Sequence, residues 1–139
     1  MRDLVRRVVL CGAALGMLAA ADAGVAAAAA GEGSAKGRTA QGRVVRLQVE
    51  GKQLRMKHFT AELRCRDGSE LIVQESGFVP TTVTTGGSFS DKQFGSTDTV
   101  RFKGTVGNKA VKGKIRVNDR WGKVRCNSRW ISFNARFRG

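Results

Sequence analysis

Residues 101–117, RFKGTVGNKAVKGKIRV, alternate with period two. Val100, Phe102, Gly104 and Val106 fall on one side, followed by Val111, Gly113, Ile115 and Val117. Arg101, Lys103, Lys112, Lys114 and Arg116 fall on the other. This alternation predicts two half-buried strands rather than a helix. Gly107-Asn108 suits a two-residue type II′ hairpin loop. That loop places Phe102 opposite Gly113 and Val100 opposite Ile115, so that an aromatic ring covers a bare glycine. On the outer face Lys103 then lies opposite Lys112 and Arg101 opposite Lys114, with Arg116 one step further. Like charges directly opposite are destabilising, and no acid lies within 99–118 to relieve them. The five cations therefore predict an anion-binding face. The alternative is a solvated face that keeps sheet edges from aggregating.

The same alternation recurs outward from this hairpin. Val45, Leu47 and Val49 alternate with Arg46, Gln48 and Glu50, before a turn at Glu50-Gly51-Lys52. Leu54 and Met56 begin the next strand, which resumes as Phe59, Ala61, Leu63 and Cys65. The three-residue step from Met56 to Phe59 flips the inward phase and predicts a β-bulge or a bend. Asp67-Gly68 turns the chain into Leu71 and Val73. Residues 76–96 read as an exposed connection, with a short edge strand near Phe89. A turn near Asn118-Asp119 leads to Val124 and Cys126, and Ile131, Phe133, Ala135 and Phe137 close the chain. Seven or eight short antiparallel strands predict an all-β fold, a β-sandwich or a small barrel, over 42–139. Residues 31–41 read as a flexible linker.

Residues 1–30 differ in kind. MRDLVRR is a basic start, VVLCGAALGMLAA an apolar run, and ADAGVAAAAA offers Ala-x-Ala sites. This is the pattern of a secretory signal peptide, helical in its apolar part. The run falls short of the roughly 20 residues a spanning helix needs, so no transmembrane segment is expected after processing. Three of the 25 basic and two of the 11 acidic residues fall in 1–30, which leaves 22 against nine, a net +13. An exported domain this basic points to polyanionic partners at the cell surface or beyond it. Cleavage would also remove Cys11 and leave Cys65 and Cys126. Two cysteines in an oxidising compartment read as one disulfide. Cys65 shares the inward phase of Leu63, and Cys126 that of Val124, so the two would meet in the core.

Catalytic chemistry is poorly supplied. The chain has one histidine, His58, no tyrosine and no Gly-x-Ser-x-Gly elbow. Asp67-Gly68-Ser69-Glu70 lacks the spacing of a calcium loop and reads as a turn. Neither remaining cysteine has a Cys-x-x-Cys neighbour, so no metal and no cofactor are expected. Trp130 is out of phase with Ile131 and Phe133 and points outward. With Trp121 it could stack on a sugar ring, and Arg129 could lie over its ring.

CRDG at 65–68 and CNSRWISFNA at 126–135 resemble the two halves of a family of uncharacterised exported disulfide-containing β domains of soil actinobacteria. The chain carries Arg129 where that pattern has glycine, and Phe133 where it has tryptophan. The resemblance implies a disulfide-tied β-sandwich and supplies no activity. The residues and the resemblance together predict a secreted, non-enzymatic module that meets anionic polymers, without base-specific nucleic-acid contacts. A carbohydrate-binding module built on Trp130 and Trp121, a purely structural exported domain and a small hydrolase are its rivals.

Overall fold

The computed structural model describes residues 31–138, and the signal segment read over 1–30 lies outside them. The described chain is all-β and antiparallel. Its ten strands are β1 (Gly33–Thr39), β2 (Val44–Glu50), β3 (Gln53–Cys65), β4 (Glu70–Ser76), β5 (Thr81–Thr82), β6 (Ser88–Phe94), β7 (Asp98–Val106), β8 (Ala110–Trp121), β9 (Val124–Asn127) and β10 (Ile131–Phe137). Six of them close a barrel in the order β10-β1-β2-β3-β9-β8, with β8 pairing back to β10. Strands β7 and β6 extend from the other edge of β8, while β4 and β5 pair with β3. A barrel, not a sandwich, is thus the architecture. Closure fits the small size of the domain, because it removes most sheet edges.

Residues 33–39, read above as linker, form β1 instead. The segment GSAKGRT buries only Ala35 and Thr39. It is a strand because it lies between β2 and β10 and pairs with both, from Gly33 opposite Val49 to Thr39 opposite Phe133. The expected bulge is present. Arg46 pairs with His58 and Leu47 with Met56, so Lys57 is the extra residue that bends β3. The bend keeps Phe59 on the same face as Met56, where both are buried beside Val45 and Leu47.

The 101–117 hairpin forms in a different register from the expected one. Val106 pairs with Val111, and Gly107 N–H donates to the Ala110 carbonyl at 2.9 Å, so the tip is Asn108-Lys109. Phe102 therefore lies opposite Ile115, not Gly113, and Val100 opposite Val117. Gly113 faces Gly104 across the ladder. The two glycines are flanked by Phe89 of β6 and Phe133 of β10, their other neighbours in register. A Cβ on either glycine would collide first with a backbone carbonyl across the ladder, that of Lys112 or Lys103, and would also stand 2.9 Å from the adjacent ring. Close strand approach and the phenyl groups together therefore require glycine here. Cross-strand cover of a bare glycine is kept, with different aromatics supplying it. The tip is held from outside the hairpin: Gly31 N–H donates to the Gly107 carbonyl and Phe137 N–H to the Lys109 carbonyl.

Two further corrections concern connections. No turn forms at Asn118-Asp119. β8 runs on to Trp121, and the chain reverses at Gly122-Lys123, where Gly122 has φ 64° as a type II′ turn requires. The 76–96 region is less exposed than expected, because Phe78, Val83 and Phe89 are buried. Phe78 stacks on Phe59 at 5.6 Å and meets Phe102 edge-on at 6.0 Å, which joins the β6–β7 extension to the barrel core. Arg129 is the one described non-glycine residue with positive φ, at 57°. A left-handed conformation costs an L-residue roughly 1 kcal/mol. Arg129→Gly should therefore raise stability or leave it unchanged despite glycine's greater unfolded-state freedom. Arg129→Val should lower it by at least as much, and a denaturant titration of both variants measures the difference.

Candidate anion-binding face

Strand alternation turns Arg101, Lys103, Lys112, Lys114 and Arg116 outward from the β7–β8 ladder, so the five predicted cations do share one face. Their pairing is shifted. Lys103 lies opposite Lys114 and Arg101 opposite Arg116, while Lys112 faces Thr105. Two like-charged pairs remain side by side because the register moved by an even step, which preserves the faces. Strand β6 adds Lys92 opposite Arg101 and Ser90 opposite Lys103, and β10 adds Ser132 opposite Lys114 and Asn134 opposite Lys112. Lys103, Lys112 and Lys114 rim a shallow dent floored by the backbone of Gly104 and Gly113.

No carboxylate neutralises this face. Among the described residues the ion pairs are Arg43–Glu62 at 3.5 Å and Arg64–Glu70 at 3.8 Å, both away from it. Asp91 borders the face near Lys92 and Arg101, but one oxygen accepts hydrogen bonds from the Thr81 hydroxyl and the Gln93 amide. Burial works against its charge, yet those bonds and the Lys92 N–H hold its carboxyl below the ordinary range. The Arg116 Nε is buried and has no hydrogen-bond partner. An arginine nitrogen without a partner is costly to keep.

The two tryptophans are separated. Trp130 joins the cationic face, where the Lys103 Nζ lies 4.6 Å from its ring centroid. Lys103, not Arg129, makes the cation–π pair. Ile131 pairs with Ile115, which sets Trp130 beside Arg116. Trp121, 68 % exposed, lies about 17 Å further along β8, so the pair forms no shared sugar platform. His58 lies between Arg46 and Ser76 in the sheet. Cys65 and Cys126 pair directly across β3 and β9 with their sulfurs at bonding distance, an arrangement compatible with an oxidising compartment.

Sequence reasoning missed a second cationic cluster. Arg64, Arg66, Arg120, Arg125 and Arg129 line an open groove of about 670 Å³ beside the cysteine pair. The available signal was the arginines that flank the two cysteines: Arg64 and Arg66 beside Cys65, and Arg125 beside Cys126. Once the cysteines pair inward, their neighbours must share the outer face. No family model, curated protein or solved structure matches the chain.

Proposed function

We propose that this chain is an exported, non-enzymatic domain that holds an anionic polymer on the outer face of β7 and β8. The observation that carries the reading is the pair of unrelieved like-charge contacts, Lys103 opposite Lys114 and Arg101 opposite Arg116. Each such contact costs the fold a fraction of a kcal/mol, about 0.5, and a polyanion laid across them reverses the sign. Its binding is charge-driven and weakens as salt rises, because each neutralised anionic group releases counterions. The signal-peptide pattern and the inward cysteine pair support export. The scarcity of catalytic groups supports a binding role.

The test is a double variant, Arg101→Gln with Lys114→Gln, which takes one cation from each pair and leaves Lys103 on the Trp130 ring. Removing the repulsion should raise the melting temperature by a few degrees. It should also weaken binding to teichoic acid, heparin or DNA about tenfold at low salt and flatten the salt dependence. Thermal melts beside salt-dependent binding curves measure both. A face that only solubilises the protein gives the first effect without the second. If the wild type binds no polyanion at low salt, the domain is a structural one and the reading fails.

A further inference from the structure

The cationic face does not end at Arg101 and Arg116. One register step further Thr99 faces Asn118, and Asn118 faces Asn127. Beyond them Arg120 lies opposite Arg125, a further like-charged pair. Arg66 is drawn in beside it, since its backbone N–H donates to the Arg125 carbonyl at 3.0 Å. The arginine groove and the lysine face are therefore consecutive stretches of one surface, joined by β8. Along β8, Lys112, Lys114, Arg116, Asn118 and Arg120 all alternate outward. At about 6.8 Å between alternate residues the file is about 27 Å long.

We infer that the arginine groove is the far end of one binding track along β8, and that its ligand is a linear aliphatic phosphodiester chain of the polyol phosphate type. This rests on the reading of the lysine face as a polyanion site and adds the chemistry of the polymer. Three observations carry it. The cations form a narrow band centred on β8, with Arg101 and Lys103 of β7 and Arg125 of β9 beside it, which suits a thin chain with one charge per repeat. The groove end is built from arginines, whose planar forks grip phosphate oxygens bidentately, where lysine offers only a point charge. Asn127 adds a neutral donor, because its Oδ1 already accepts the Arg129 N–H at 2.7 Å and leaves the amide NH₂ free.

The third observation concerns the aromatic rings. Nucleic-acid bases and sugar rings are held by open aromatic faces. Trp130 and Phe94 beside the track each carry a lysine of this chain on one face, and Trp121, next to Arg120, alternates to the opposite side of β8. Lys103 Nζ is 4.6 Å from Trp130, and Lys92 Nζ is 5.0 Å from Phe94. An aliphatic repeat needs no stacking platform. Two carboxylates touch the groove: Asp119 lines it, with Oδ1 accepting from the Thr97 hydroxyl and the Arg120 N–H, and Glu70 pairs with its Arg64. Arg66, Arg120 and Arg125 form no ion pair with any described residue.

The experiment measures binding of poly(glycerol phosphate) chains of graded length to the purified protein by calorimetry at fixed low salt. Oligothymidylate and polyglutamate of matched charge serve as competitors. Affinity should rise with length until the chain spans about 27 Å and then level off. Arg120→Gln with Arg125→Gln should weaken long chains at least tenfold and reduce the salt slope by about two. It should leave chains too short to reach the groove unaffected. Arg120→Lys with Arg125→Lys should restore the salt slope without restoring full affinity. Both sites are exposed, and melting temperatures no lower than that of the wild type will show that the fold is intact. If the glutamine variant binds long chains like wild type, the track stops at the lysine face and the inference is wrong, although the proposed function stands. Equal affinity for oligothymidylate or polyglutamate overturns the phosphodiester assignment. Absence of any wild-type binding removes the lysine-face reading, and the inference with it.

Discussion

Replacing both cysteines, Cys65→Ala with Cys126→Ala, should lower stability by about 4 kcal/mol and the melting temperature by roughly 20 °C. The size follows from the loop that the bond closes, since the two residues are 61 apart in sequence. Its location makes the loss matter further. Strand β9 is four residues long and meets β3 through only two register pairs, Arg64 with Asn127 and Cys65 with Cys126. This seam closes the barrel, and the sulfur bridge spans it. Amides at 64–66 and 124–127 should exchange with solvent well before the β7–β8 ladder once the bridge is gone. The arginine groove should loosen with them, because Arg66 and Arg125 stand on opposite sides of the seam. Denaturant melts and hydrogen exchange of the alanine variant measure both effects. A fall of less than about 5 °C would mean that packing, not the bridge, holds the seam. Mass spectrometry of the exported protein should find no alkylatable thiol.

Most of the strands were legible because their alternation is local. The bulge at Lys57 and the inward phase of both cysteines were readable for the same reason. The hairpin register was not. Gly107-Asn108 and Asn108-Lys109 give the same faces, so hydrophobic pattern cannot choose between them. The choice is made by contacts that no local window contains, namely the hydrogen bonds from Gly31 and Phe137 to the loop. Strand β1 was hidden for a related reason. It has almost no apolar side chains, and its extended form is imposed by partners on both edges. Such tertiary override is common for strands, whose propensity is weak. The lysine face was legible as a face, with its members correct and their pairing shifted. The arginine groove needed the β3–β9 contact, which joins segments about sixty residues apart.

The folded domain should lose stability as pH rises from about 4.5 to about 8, the reverse of the usual behaviour of a paired carboxylate. The cause is Glu75. It is half-buried on β4, shares a hydrogen bond with Asp98, and stands near Asp119 as well. Asp98 and Asp119 are themselves opposite one another on β7 and β8. Burial first, then the bond to Asp98 and the two negative charges, push the Glu75 carboxyl from 4.5 up to about 8. Between those values the unfolded chain has released this proton while the folded chain still holds it. Stability then falls with each unit of pH, and the decline ends once the folded group also ionises. Solvent screens a site this open, so the total is of the order of 2 kcal/mol rather than the full linkage value. Below pH 4 the opposite trend takes over, because Asp91 loses the hydrogen-bonded charge that its environment favours. Stability should therefore peak in mild acid. Glu75→Gln keeps the shape and removes the titration, so its melting temperature should be nearly flat from pH 5 to pH 8 while the wild type declines. Parallel slopes for the two proteins would show that Glu75 ionises normally and that the three carboxylates are not held together in solution.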